Sequence, residues 1–98
     1  MFYIEGACPV CGVGTRGFRL CSDKVTIVIM CDECEAAWLD PRRVAKTDVV
    51  YTKPPHYQLP GRSCSIAAPS SRWATHAEIE VSGWVKYVVG EGTALDGG

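Results

Sequence analysis

Two cysteine pairs, Cys8-x-x-Cys11 and Cys31-x-x-Cys34, are the residues of this 98-residue chain best suited to chemistry. Nineteen residues lie between the pairs. Four thiolates at this spacing make a tetrahedral ligand set for one soft metal ion, with zinc the first expectation. Four sulfurs close the coordination shell and leave no position for water or substrate, so the implied role is structural. Metal binding is then also folding free energy, because the unfolded chain holds no preformed site. A chain this short benefits from such a clip, since small domains bury too little surface to be comfortably stable. A disulfide framework is the competing use of the same sulfurs. It is disfavoured because Met1-Phe2-Tyr3-Ile4-Glu5-Gly6 lacks the basic start and apolar run of a secretory signal, which predicts a cytoplasmic protein with reduced thiols.

The remaining reactive side chains form no recognisable constellation. Cys21 and Cys64 can be read as a second metal site or redox thiols, or as small buried hydrophobes; the second reading is favoured, since neither has a partner at ligand spacing. His56 follows Pro54-Pro55 in a turn-rich segment, a plausible place for function. His76 opens a helical stretch and reads as a solvated residue. There is no G-x-S-x-G motif and no arguable Ser/His/Asp or Cys/His/Asp set, so catalysis is not expected. Arg42, Arg43, Lys46 and Lys53, with Tyr51 and Tyr57 close by, are the candidate nucleic-acid contacts: cations meet phosphates and aromatics stack on bases. Asp32, Glu33, Glu35, Asp40 and Asp48 are interleaved with or adjacent to them, and the formal charge is −1 at pH 7. Without a basic excess the balance leans toward a protein partner. Trp38, Arg42, Arg43, Lys46 and Tyr51 are the candidate partner-binding residues, Trp38 as an anchor beside the acidic second cysteine pair.

The elements that must position these residues are short. With 47% hydrophobic and 21% charged residues the composition is that of a soluble globular protein, and no stretch reaches the roughly 20 apolar residues that span a bilayer. Phe2, Tyr3 and Ile4 predict a lead-in strand. Residues 15–21 alternate polar and apolar, with Phe18 and Leu20 on one face. Residues 25–30, Val-Thr-Ile-Val-Ile-Met, are the clearest strand and run directly into Cys31. A turn at Ser22-Asp23-Lys24 joins the two into a hairpin whose ends bring the cysteine pairs together. Ala36, Ala37 and Trp38 are expected to open a helical turn, with Trp38 and Leu39 covering the hairpin and Pro41 ending the element. Val49-Val50-Tyr51 predicts a third strand, and residues 54–65 a loop. Thr75-His76-Ala77-Glu78 is a capping box, predicting a helix over about 76–82 and a second short one to about 89 around Trp84, Tyr87 and Val88. The chain from Gly90 onward is expected to fray.

The CPVCG and CDEC knuckles flanking a hairpin resemble a zinc ribbon over roughly residues 3–40. The resemblance implies a small sheet with both knuckles at one end and one structural zinc, but no particular function. Gly12 matches the pattern, its left-handed turn aiming amide N–H groups at sulfur. Glu35 stands at the equivalent place in the second knuckle and departs from it, since a left-handed non-glycine residue costs about 1 kcal/mol. CPVCG also resembles the rubredoxin knuckle, which implies iron and electron transfer; CDECE does not match it. The resulting expectation is an α+β domain. It has a ribbon with an adjoining strand over 1–53, a loop over 54–70, a helical segment over 71–90 and a flexible tail over 91–98. The expected function is non-enzymatic binding of a protein partner, with a toxin-neutralising immunity protein as one concrete form. The alternatives are a nucleic-acid-binding, transcription-associated ribbon and a rubredoxin-like electron carrier.

Overall fold

The computed structural model describes residues 1–92; the rest of the expected tail, 93–98, lies outside the described residues. Its backbone is a small antiparallel sheet with one α-helix, an α+β arrangement. The strands are β1 (Phe2–Ala7), β2 (Thr15–Leu20), β3 (Ile27–Cys31), β4 (Ala37–Trp38), β5 (Arg72–Trp73) and β6 (Gly90–Glu91), with α1 (His76–Ser82) between the last two. The spatial order is β4-β3-β2-β1-β6, and β5 pairs with β2. Among the described residues, the lead-in strand and the hairpin, β1 to β3, are extended by three two-residue strands.

The central hairpin follows from side-chain chemistry. β2 and β3 pair in unbroken register from Arg16 opposite Cys31 to Leu20 opposite Ile27. Asp23 shapes the turn: its carboxylate accepts from the Val25 and Thr26 amides at 3.0 and 2.9 Å and from the Thr26 hydroxyl at 2.6 Å. Both faces of the hairpin are covered, which is why β3 is apolar throughout. Ile27, Ile29 and Cys31 join Ile4, Phe18, Leu20, Trp38 and Ile79 in one cluster, while Val28 and Met30 join Cys21, Leu59, Cys64, Ile66 and Trp73 in the other. The two arginines of β2 are buried as well. Arg19 hydrogen-bonds Ser71 Oγ at 2.9 Å and lies 4.8 Å from the Trp73 ring centroid.

Several expectations are corrected. Ala36, Ala37 and Trp38 open no helical turn; Ala37 and Trp38 extend as β4 beside Met30 and Ile29. Leu39 is exposed, so Trp38 alone covers the hairpin at this point. Val49-Val50-Tyr51 is no third strand: Val50 makes one isolated bridge, to Ala37, because β4 is too short to template more. Residues 54–65 form more than a loop, since Gln58 bridges Ser65 and Leu59 and Cys64 are buried beneath the sheet. Gly90 and Glu91 do not fray but pair with Tyr3 and Phe2.

Helix α1 is bounded by local chemistry. The Thr75 hydroxyl accepts from the Glu78 amide at 3.2 Å, and the Glu78 carboxylate accepts from the Thr75 amide at 2.8 Å. Gly83 caps the far end at φ 84°. A 3-10 turn over Val85–Tyr87 follows. Ile79 is the fully buried helix residue, and Trp84, Val85, Tyr87 and Val88 pack partly buried on the same core.

Candidate metal centre

The first knuckle leaves the end of β1 and closes on itself: the Cys8 amide donates to Gly14 O at 2.9 Å, and the Gly12 amide to Cys8 O at 2.8 Å. The second begins at Cys31, the last residue of β3, whose amide donates to Ala36 O at 2.9 Å. Asp32 joins the two. Its amide donates to Thr15 O at 3.0 Å and its carboxylate accepts from the Thr15 amide at 2.8 Å. The register of the hairpin thus fixes where one cysteine pair meets the other.

The four sulfurs of Cys8, Cys11, Cys31 and Cys34 lie within 4.8 Å of one another. Cys8 Sγ is 3.7 Å from Cys34 Sγ, and Cys11 Sγ is 3.7 Å from Cys31 Sγ. A tetrahedral ion at a metal–sulfur distance of about 2.3 Å separates its sulfurs by about 3.8 Å. The donor set therefore fits one four-coordinate metal ion. Backbone amides already face the sulfurs: Val10 N–H to Cys8, Gly14 N–H to Cys11 and Glu33 N–H to Cys31, each at 3.4 Å.

Both knuckles bend through the left-handed region. Gly12 has φ 79° and Glu35 has φ 62°. The second knuckle keeps the turn despite lacking glycine, where a different path through a helical turn was expected. The thiols differ electrostatically. Amide N–H groups of Val13 and Gly14 lower the Cys11 thiol to about 7. Burial pushes Cys31 and Cys34 up. A bound cation is what would hold all four as thiolates. Cys8 and Cys31 are buried and Cys34 is exposed, so one edge of the centre faces the surface.

Arg16 supports the centre from below. It sits opposite Cys31, donates to Val44 O at 2.6 Å and Glu5 O at 3.0 Å, and lies 5.4 Å from the Trp38 ring. Trp38 is fully buried and donates from Nε1 to Ala45 O at 2.8 Å. It therefore cannot anchor a partner, contrary to expectation; a large aromatic is needed to fill the space under the metal end of the sheet. Neither Arg16 nor Arg19 was singled out in the sequence, because each reads as a solvent-facing residue of an alternating strand.

The other candidates are scattered. Arg42 is held by Asp40 at 2.7 Å, and that pairing holds the Asp40 carboxyl at about 2. Arg43, Lys46 and Lys53 are exposed, as is Tyr51 at 64%. Tyr51, Lys53 and His56 line one shallow hollow. His76 contacts Glu80 at 2.9 Å on the helix surface. Of the three tryptophans, Trp38 and Trp73 are buried and Trp84 is half-buried. Among the described residues no helix is long and apolar enough to cross a membrane.

No family model and no solved structure matches the chain. It is similar to an uncharacterized protein of Acanthamoeba polyphaga mimivirus, 31% identical over 86 residues, which cover 83% of this chain and 72% of the viral protein.

Proposed function

This chain belongs to the same family as that mimivirus protein, and from that premise we propose that it is a non-enzymatic zinc-ribbon binding module whose partner is a protein. The observation that carries the reading is the completeness of the four-sulfur set, with edges of 3.7 Å and amides already turned to the sulfurs. Such a set holds zinc as a structural ion and offers no open position for chemistry. The chain's work then falls to its surface. Beside the centre that surface displays Val13, 75% exposed, with Glu33 and Glu35. An apolar residue rimmed by carboxylates suits a protein surface with basic character better than a phosphate backbone. Among the described residues none singles out a toxin as that partner.

A nucleic-acid reading is kept as second, on the hollow that Tyr51 shares with Lys53. It is weakened by Asp40, which occupies the Arg42 guanidinium. Native mass spectrometry of untagged protein from its own host separates the readings. One zinc per chain with a stoichiometric protein supports the proposal. Co-purifying nucleic acid, displaced by salt, transfers it to the second reading. Iron in place of zinc revives electron transfer.

A further inference from the structure

Cys21 and Cys64 are 43 residues apart in the chain, yet the fold brings them together. Cys21 directly follows β2 and Cys64 lies in the segment beneath the sheet; both are buried in the same cluster. The neighbouring residues lock this arrangement. The Ser22 amide donates to Ser65 O at 2.9 Å, and the Ser65 amide donates to Ser22 Oγ at 2.8 Å. The Cys64 sulfur lies close enough to Cys21 to disfavour its ionisation. Cys64 is 3% exposed but, with Ser22, His56, Gln58, Ser63 and Ser65, lines a surface hollow of about 180 Å³. Cys21 is fully buried and does not line it.

We propose that Cys21 and Cys64 form a two-thiol redox site, separate from the metal centre, that reacts with small disulfides and closes into an intramolecular disulfide. The length of β2, roughly 16 Å at about 3.3 Å per residue, separates this pair from the knuckles, so it cannot supply metal ligands. The order of events follows from access. The Cys64 thiolate attacks one sulfur of a small disulfide RSSR from the hollow, forming a mixed disulfide and releasing one RS⁻. Cys21 then gives up its proton and attacks the Cys64 sulfur, displacing the second RS⁻. Both departing thiolates leave as RSH, taking the two protons of the cysteines. Two protein thiols are oxidised and one RSSR is reduced. Burial and the Cys64 sulfur push the Cys21 thiol up to about 12, consistent with Cys21 acting second. The product ties the β2–β3 turn to the segment under the sheet, where two Ser22–Ser65 hydrogen bonds hold it now.

The test uses the full zinc-loaded chain and excess glutathione disulfide, read by intact mass and peptide mapping. The expected result is loss of two hydrogens per chain, a linkage between the Cys21 and Cys64 peptides, and unchanged zinc content. In Cys21→Ser, glutathione stays attached to Cys64, because nothing resolves the mixed disulfide. In Cys64→Ser, Cys21 stays unmodified. If Cys21 and Cys64 both remain free in the wild type, the proposal is overturned. It is equally overturned by a persistent wild-type glutathione adduct without linkage, or by linkage of either cysteine to a knuckle cysteine. The wild-type map decides even if a variant folds poorly.

Discussion

A Cβ on Gly14 would lie 2.2 Å from the Sγ of Cys31, and 3.1 Å from the Cβ of Glu33. The first knuckle thus presents bare backbone to a ligand of the second, and the centre closes only because residue 14 has no side chain. Gly14→Ala should push the Cys31 sulfur out of the set and weaken metal binding about 10- to 100-fold, as loss of supporting contacts around a metal does. Competition with a chromophoric chelator measures this directly. Unchanged affinity would mean that the backbone gives way instead.

Metal removal should cost far more than any one contact. Structural zinc in small modules contributes on the order of 10–16 kcal/mol in apparent terms. Chelation, or Cys31→Ser, is expected to abolish the cooperative thermal transition and the slow amide exchange of β2 and β3. Retention of both after metal loss would show that the two apolar clusters suffice alone.

Glu35 holds φ 62° at the place where the first knuckle has Gly12. Replacing it by glycine relieves the left-handed strain, about 1 kcal/mol. Part of that gain is offset by the greater freedom glycine has in the unfolded chain. The metal-loaded Glu35→Gly variant should therefore melt a few degrees higher than the wild type. A lower melting temperature would mean that the carboxylate itself stabilises the knuckle.

The Glu78 carboxyl is held at about 2, against an ordinary value of 4.5, chiefly by hydrogen bonds from Arg72, at 2.7 and 2.9 Å, with the Thr75 amide assisting. Its folded value lies below its unfolded one. Its contribution to stability is therefore complete above about pH 4.5 and is lost as the pH falls toward about 2. The side chains of Arg72 and Glu78 are 41% and 29% exposed, so screening trims the effect to about 1 kcal/mol. In Glu78→Gln the hydrogen exchange of α1 amides should be faster than in the wild type near neutrality. The two should converge on acidification. A gap that does not depend on pH would remove the ion pair as its cause.

Trp38→Phe removes a fully buried indole and leaves the Ala45 carbonyl without its 2.8 Å donor. The cost should be about 2 kcal/mol, combining lost volume with one lost hydrogen bond, since the Ala45 carbonyl keeps the Asp48 amide at 3.0 Å. Urea denaturation of the metal-loaded protein checks it. A loss below about 0.5 kcal/mol would mean that Arg16 or water repacks the site.

What the sequence disclosed was local. The four cysteines, the β-branched run ahead of Cys31 and the Thr75–Glu78 box each announce themselves within a few residues, because ligand spacing, strand alternation and capping are short-range rules. Ala37 and Trp38 read as a helical turn from sequence alone because a two-residue strand has no periodicity, and only their pairing with Met30 and Ile29 shows the extended backbone. Arg16 and Arg19 alternate with apolar neighbours as solvent-facing residues do. Their burial comes from Trp38 and Trp73, the latter more than 50 residues away in sequence. Cys21 and Cys64 carry no spacing signal at all, since their meeting depends on the whole segment folded beneath the sheet.

The placement of β2 has a consequence for how the molecule assembles in time. Its pairings with β1 and β3 close loops of a few residues, whereas β5 returns to it only after the long excursion through residues 39–71. Short closures are entropically cheap and fast, and long ones wait for a template. The β2–β3 hairpin is thus expected to form first, as the seed on which the remaining half condenses. Were its four cysteines to take up a metal ion at that stage, the rate at which a newly made chain matures would be tied to the supply of free metal.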